Sequence, residues 1–262
     1  MTFNVLLSCM FQDRTIIEKS NIQCDCVVVN QCDKDEREEF KIKGSDDCEY
    51  FITWINTSER GLSRSRNMAI VNSTADICMI ADDDQLFDNG ISGIALTEYA
   101  KQPDSDVLVF GARYKKKQIS GKVKTLGFID LMKVSSVQIT FKRESVLGKV
   151  AFDTKLGAGT PNGAGEENKF LLDCRNAGLK MNFTPITLFA MRETDTPSTW
   201  LHGFNEDFFY KRGMVARYTY GFWFTVLYLP YYIVSHRKRL DCSLWKAMHA
   251  SLGGCFENKL TK

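Results

Sequence analysis

Charge of one sign is missing from the overall balance of this sequence. Lys and Arg number 34 and Asp and Glu 32, a formal net charge of +2, which excludes a chain built as a whole to hold nucleic acid. The asymmetry that exists is local: acidic residues crowd the first half, and a basic cluster sits late, at His236-Arg237-Lys238-Arg239. A disulfide framework is missing too. The nine cysteines are odd in number and irregular in spacing, and Cys24-x-Cys26 followed by Cys32 is no zinc-ribbon spacing, so reduced cytosolic thiols are expected. No basic n-region precedes Val5–Phe11, a short run that leads into Gln12-Asp13-Arg14 and reads as a first strand rather than a secretory signal. Histidines are scarce: His202, His236 and His249 are the only three, and none is assigned a role. There is no internal repeat and no low-complexity tract. What is present fits a globular protein. At 262 residues, 44% hydrophobic and 25% charged, the chain has room for one large α/β domain plus a small extension.

Strand-length apolar runs recur at Val5–Met10, Cys26–Val29, Tyr50–Ile55, Ile77–Ala81, Val107–Gly111, Val137–Phe141 and Met181–Ala190. Segments of helical spacing, Ser63–Val71 and Ile91–Ala100, lie between some of them. This alternation predicts a mainly parallel central sheet with helices on both faces, and the unbroken Ile77–Ala81 run predicts a buried central strand. Ligands in open α/β sheets bind beyond the carboxyl ends of the strands. The residues in those places are polar: Asn30-Gln31-Cys32-Asp33, then Asn56 to Gly61, then Asp82-Asp83-Asp84.

Three adjacent carboxylates at the end of a buried strand repel one another, and a divalent cation removes that cost. Strand alternation sends Asp82 and Asp84 one way and Asp83 the other. Oxygen ligands of this kind suit Mg²⁺ or Mn²⁺ that also contacts phosphate oxygens. Upstream, Gly61-Leu62-Ser63-Arg64-Ser65-Arg66-Asn67 opens a helix. Gly61 permits close backbone approach, Ser63 is expected to cap the helix, and the helix N-terminus with Arg64 and Arg66 favours an anion such as a diphosphate. Downstream, a glycine-dense loop from Gly157 through Gly159 to Gly165 ends in Glu166 and Glu167, which begin a helix running through Phe170, Leu171 and Leu172. The dipole stabilises carboxylates there, but the glycine density points to a loop that approaches a ligand, and a carboxylate held beside it could act as a general base on a hydroxyl. Neighbours on a helix point about 100° apart, so only one of Glu166 and Glu167 should face a reaction centre.

Taken in order, these parts resemble the inverting glycosyltransferases of family 2, of the bacterial polysaccharide-biosynthesis type, over roughly residues 3–215. Gly61 to Asn67, running on to Ile80-Ala81-Asp82-Asp83-Asp84, is similar to the family's G-x-x-x-A-R-N … D-x-D segment, with Ser65 in place of the usual Ala. Phe152-Asp153, Gly157-Ala158-Gly159 and Gly165-Glu166-Glu167 are similar to its acceptor-side loop and E-D motif. The resemblance implies a GT-A fold, Rossmann-like, over residues 1–205, with residues 206–262 as a helical extension. It implies a nucleotide-sugar donor, a UDP-sugar, held by Asp33, Arg64, Arg66, Asp82 and Asp83, with Asp33 and Arg66 in the uracil region. It implies Mn²⁺ or Mg²⁺ on Asp84 and Asp82, a base at Glu167 or Glu166, and an acceptor-side loop containing Gly159 and Gly165. Two departures stand out. Met10-Phe11-Gln12 replaces the usual Pro-x-Tyr-Asn end of the first strand, and Arg192-Glu193 stands where a His is common. The processive Q-x-x-R-W motif is absent, which favours addition of one sugar. Trp200 is a candidate for stacking on a sugar.

Tyr218–Val234 is uncharged and crowded with aromatics, with Lys211, Arg212 and Arg217 before it and Arg237–Arg239 after it. Gly221 and Pro230 interrupt it, and even as one helix it would reach about 25 Å, short of a bilayer core of about 30 Å. An interfacial helix pair, with Ser243–Leu252 as its second member, is therefore expected at the inner face of a membrane, suited to a lipid-linked oligosaccharide acceptor. Two other readings remain: a carbohydrate-binding or scaffold protein on the same fold, and a sugar-phosphate nucleotidyltransferase. The second would carry a glycine-rich, basic loop after the first strand, where Met10-Phe11-Gln12-Asp13 stands instead.

Overall fold

The computed structural model describes residues 1–44, 46–113, 121–192, 203–257 and 259–260. Its strands are β1 (Phe3–Met10), β2 (Cys26–Gln31), β3 (Glu36–Lys43), β4 (Glu49–Thr57), β5 (Ile77–Asp82), β6 (Gln85–Phe87), β7 (Val107–Gly111), β8 (Lys124–Thr125), β9 (Ile139–Lys142), β10 (Met181–Thr187) and β11 (Phe189–Met191). Its helices are α1 (Thr15–Lys19), α2 (Leu62–Asn72), α3 (Ile91–Lys101), α4 (Phe128–Leu131), α5 (Arg143–Val146), α6 (Glu166–Asn176), α7 (Glu206–Tyr220), α8 (Phe222–Ser235) and α9 (Leu244–Glu257).

Nine strands form one sheet in the order β3-β4-β2-β1-β5-β9-β7-β10-β8. Its centre, β4-β2-β1-β5, is parallel throughout. Alternation along β1 divides the core. Val5, Leu7 and Cys9 pack with Ile16 and Ile17 of α1 and with Ile91, Ala95 and Tyr99 of α3. Leu6 packs on the other face with Ala69 and Ile70 of α2 and with Phe170 and Leu171 of α6. The period of two along the strands thus produces three layers, helix on sheet on helix. The chain lays β2 and β4 on one side of β1 and then crosses to β5 on the other, so a crevice opens beyond the carboxyl ends of β1 and β5.

The structure differs from the sequence reading in four places. Glu36–Lys43 is an edge strand, antiparallel to β4. Its charges face water and only Phe40 and Ile42 turn to the core, so it has no apolar run to betray it. Val137–Phe141 splits into a 3₁₀ turn at Ser136–Gln138 and β9, which is antiparallel to both β5 and β7. Met181–Ala190 also divides: β10 stays in the main sheet, while β11 pairs with β6 in a two-stranded sheet. Of the two interruptions expected in Tyr218–Val234, Gly221, at φ +80°, separates α7 from α8, while Pro230 stays inside α8. The extension is consequently three helices rather than a pair. Where α7 crosses α9, a Cβ at Gly213 would overlap the Ser251 carbonyl oxygen and one at Gly254 the Tyr210 carbonyl oxygen. Among the described residues, no helix is long and apolar enough to cross a membrane.

Candidate active site

The carboxyl ends of β1, β2 and β5 are tied together by side-chain amides. Asn30 accepts from the Gln12 backbone N–H and donates to the Gln12 carbonyl and to Asn56. Gln12 donates to Asp83 at 3.2 Å. Asp82 ends β5 beside Ser8 of β1. The acidic triplet then turns into β6. Gln85 accepts from the Asp82 N–H at 2.9 Å, and the Arg192 backbone and guanidinium donate to the Asp84 and Asp83 carbonyls. Arg192 thus secures the backbone of the triplet from just beyond β11.

The Arg66 guanidinium is fully buried behind this turn. It donates to Glu166 Oε1 at 3.0 Å, to Asp82 Oδ1 and Oδ2 at 2.9 and 3.2 Å, and to Ser136 Oγ at 2.9 Å. One residue therefore joins α2, the acidic triplet, the 3₁₀ turn and α6. Buried ions are tolerable only with such pairing, and the contacts direct Arg66 to carboxylates of the protein. Its neighbour Asn67 grips Phe152 reciprocally, donating to the Phe152 carbonyl and accepting from its N–H, both at 2.8 Å. Phe152 in turn stacks on Phe170, ring centroids 4.2 Å apart.

Ser63 does not cap α2, as the sequence suggested. Gly61 is the N-cap, and the Ser63 hydroxyl donates to the Leu156 carbonyl at 2.7 Å. The reason is the glycine loop, which lies against this helix start: the Leu62 N–H donates to the Ala158 carbonyl at 2.9 Å. Gly159, at φ +83°, sits so close that a Cβ would be 3.1 Å from Gly61 Cα. A Cβ on Gly165, at φ +95°, would be 2.7 Å from Val215 of α7. Both glycines serve protein–protein approach as well as loop conformation.

A cavity of 370 Å³ opens at this junction, lined among others by Arg66, Asp82, Asp84, Glu166, Glu167 and Arg212. The two glutamates differ within it. Glu166 is buried and held by Arg66. Glu167 is half-buried, and burial, reinforced by the Glu166 charge, pushes its carboxyl up to about 8. Burial also lifts Asp84, with help from Asp82 and Asp83, to about 6. Asp84 Oδ1 is buried without a hydrogen-bond partner. A divalent cation answers both the orphaned oxygen and the crowded charge, so this donor set suits Mg²⁺ or Mn²⁺. Among the described residues, no group of three or more His, Cys, Asp or Glu side chains is placed to hold a metal ion.

Other candidates lie apart from this cavity. Asp33 is an exposed partner of Arg60, at 2.6 Å, and is not joined to Arg66. Arg60 also lies over the ring of Phe11, 5.4 Å from its centroid, and Phe11 is an exposed residue at φ +50°. Arg64 points to solvent. Trp200 and Glu193 lie outside the described residues. Sequence reasoning met Gln12 and Arg192 only as departures from the family pattern and missed Ser136 and Arg60, because each acts through its place in the fold rather than through a motif. It set Arg212 among the basic flanks of a lipid-facing segment. The structure instead turns Arg212 inward, bonded to the Tyr228 hydroxyl at 2.8 Å and lining the cavity.

No protein-family model matches the sequence, and no curated protein matches it. Solved structures do. TarS 1–349 of S. aureus aligns with TM-score 0.57 at 13% identity, covering 98% of this chain and 72% of that one. Its complex with UDP-GlcNAc aligns with TM-score 0.56 at 12% identity, covering 98% and 73%. The mannosyltransferase PcManGT of Pyrobaculum calidifontis, in complex with GDP-Man and Mn²⁺, aligns with TM-score 0.52 at 14% identity, covering 98% and 86%. At such identities the likeness establishes architecture: the chain has the α/β fold of these glycosyltransferases, GT-A-like in type, with a mainly parallel sheet between layers of helices.

Proposed function

We propose that the protein is a metal-dependent inverting glycosyltransferase that moves a sugar from a UDP-sugar to an acceptor hydroxyl. One observation carries this reading: a single cavity at the carboxyl edge of the sheet brings Asp82 and Asp84 together with Glu167. Two structures with this fold hold UDP-GlcNAc and GDP-Man, which supports a nucleoside-diphosphate sugar as donor. Asp84 and Asp82 would hold Mn²⁺ or Mg²⁺, and an ion so bound stabilises charge on the departing nucleoside diphosphate. Asp33, Arg60 and Phe11 form the polar and aromatic surface on which the base would rest. Arg64 would face the phosphates from outside, and Asp83 would be steadied by Gln12.

Glu167 is the proposed base. Glu166 is committed to Arg66, whereas Glu167 lines the cavity and carries a raised proton affinity suited to accepting a proton near neutral pH. It would take the acceptor proton as the hydroxyl oxygen attacks the anomeric carbon from the face opposite the leaving group, giving inversion in one displacement. NMR of the product anomer tests this, and retention of donor configuration would sink it.

We further infer that residues 206–262 hold the protein at a membrane surface, for a lipid-linked acceptor in surface polysaccharide synthesis. On α8, Trp223, Leu227 and Tyr231 are spaced to share one face and are 80%, 78% and 73% exposed. Trp245 at the start of α9 is 82% exposed. The turn between the two helices carries Arg237 and Lys238, both exposed, a combination suited to anionic headgroups. Flotation with anionic vesicles tests it; equal recovery with neutral vesicles and no vesicles would remove this part.

The first experiment on the donor half is calorimetric titration of UDP with and without Mn²⁺ on wild type and Asp84→Ala. Binding that needs Mn²⁺ and is lost in the variant supports the reading. No binding of UDP, GDP, CMP or dTDP to wild type would end it.

A further inference from the structure

Resting on the reading of Glu167 as the base, we propose that Arg212 is a positioning residue for it, and that Tyr228 and Tyr232 of α8 fix Arg212 at the wall of the cavity where Glu167 stands. The helical extension is then a working part of the catalytic centre, not an appendage to it.

The packing of α7 on the start of α6 brings Arg212 there. Gly165, two residues before Glu167, lies so close to α7 that a Cβ on it would be 2.7 Å from Val215. Arg212 precedes Val215 by three residues and shares its face of the helix. Arg212 and Glu167 accordingly line one cavity, of 370 Å³, together with Gly163, Ala164 and Gly165. The aim of the side chain is set from α8. Its guanidinium donates to the Tyr228 hydroxyl at 2.8 Å and lies 4.6 Å from the ring centroid of Tyr232 and 5.9 Å from that of Tyr228. The two tyrosines, four residues apart, share one face of α8, with their rings 5.6 Å apart. Two aromatic faces and one hydrogen bond thus hold a long, flexible cation. Among the described residues no salt bridge competes for it.

The charge acts across the cavity. Burial and the Glu166 charge favour the protonated form of Glu167, whereas Arg66 and Arg212 favour its carboxylate. Arg66 is already engaged by Asp82 and Glu166. Tyr220 of α7 also faces Glu167, and Asp82 and Asp84 line the same cavity. A base must be unprotonated to accept the acceptor's proton, so a cation fixed opposite Glu167 enlarges the fraction of molecules ready to react at neutral pH.

Urea denaturation of the full chain from about pH 6 to about pH 10 reads the Glu167 titration with no donor, acceptor or metal present. The stability difference between wild type and Glu167→Gln changes with pH up to the folded-state value of Glu167 and is level above it. The same difference is measured in Arg212→Gln, Arg212→Lys and Tyr228→Phe backgrounds. Glu166, Arg66, Tyr220, Asp82 and Asp84 are common to both members of each pair and cancel. In Arg212→Gln the level region should begin about one pH unit higher, the lower end of what a nearby opposite charge does. In Tyr228→Phe, which loosens the guanidinium without removing it, the level region should move part of that way. Arg212→Lys, which keeps the charge, should stay nearer to wild type than Arg212→Gln. A merely structural Arg212 would lower both members of a pair equally and leave the level region in place, and that outcome overturns the proposal. An unmoved level region in Tyr228→Phe overturns it as well, and that pair decides alone if Arg212→Gln does not fold. Failure of UDP to bind would strike the donor reading and leave this result standing; an unchanged transfer rate in Glu167→Gln would strike the base assignment instead.

Discussion

Two inward-facing arginines mark the two halves of this molecule. Arg66, in the sheet domain, is paired with Glu166 and Asp82 and bonded to Ser136, with only its Nε left without a hydrogen-bond partner. Arg212, in the helical extension, is set among Tyr228 and Tyr232, and the carboxylate its charge acts on is Glu167, in the cavity both residues line. The first binds one motif to another, so its removal strands two carboxylates. The second forms no salt bridge among the described residues and acts by charge on Glu167 in the cavity they share. The surroundings follow the same division. The sheet domain ties its strand ends with side-chain hydrogen bonds, whereas the extension keeps α7 and α9 together by glycine contact and leaves Trp223, Leu227 and Tyr231 open to solvent.

The largest test of this contrast concerns the glutamates beside Arg66. Glu167→Gln should slow transfer by about 10²–10⁴-fold, the usual worth of a general base, with little change in nucleotide affinity. Glu166→Gln should instead act through stability, since it removes half of the Arg66 clamp; steady-state rates and urea melts on both variants separate the roles. Equal effects of the two on rate would erase the distinction.

Next in size is Arg66→Leu, which leaves Asp82 and Glu166 without their partner and should cost roughly 3–5 kcal/mol in urea denaturation. Arg212→Leu removes one hydrogen bond, to Tyr228, and no salt bridge among the described residues, and should cost only about 1 kcal/mol. Similar losses for both would mean that Arg212 is as structural as Arg66. Gly213→Ala lies between these extremes: the new methyl meets the Ser251 carbonyl, and overpacking of this kind costs about 1–3 kcal/mol.

A pH series sharpens the same point. The Glu167 carboxyl is raised from 4.5 to about 8, so the native state binds more protons than the unfolded state between those values. The stability this group contributes is complete below the lower value and lost as pH rises through the upper one. Glu167→Gln should therefore gain stability relative to wild type as pH increases across that window, while the transfer rate of wild type rises toward its plateau above about 8. A flat stability difference in chemical denaturation from acid to alkaline pH would contradict it. The smallest effect belongs to Trp223→Ser. It should alter stability by less than about 0.5 kcal/mol, as at most exposed sites, yet reduce recovery with anionic vesicles.

Much of the site was legible as chemistry before it was legible as geometry. Asp82 and Asp84 announced themselves because three carboxylates after a buried strand require an explanation. The glycines of the 157–165 loop were conspicuous for their density, although part of their use, contact with Gly61 and Val215, depends on segments distant in sequence. Local patterning could not decide between Glu166 and Glu167, since both open the same helix; the Arg66 side chain, arriving from α2, makes them different. Nor could it find β3, whose Glu and Lys side chains mask an edge strand; the break at Gly221, by contrast, was visible as a glycine interrupting the aromatic run.

The sequence by itself determined the layered α/β plan, because continuous apolar runs in β1, β2 and β5, separated by segments of helical spacing, leave few ways to bury those residues. It also determined which residue types stand at the strand ends. Only the tertiary structure decided their duties: that Arg66 is consumed by two acids, that Asp33 answers to Arg60, and that Arg212 turns from the surface to a cavity. The physical reason is that electrostatic interactions fall with distance in space. The groups that set a charge's environment come from any part of the chain, while a motif records only its neighbours in sequence.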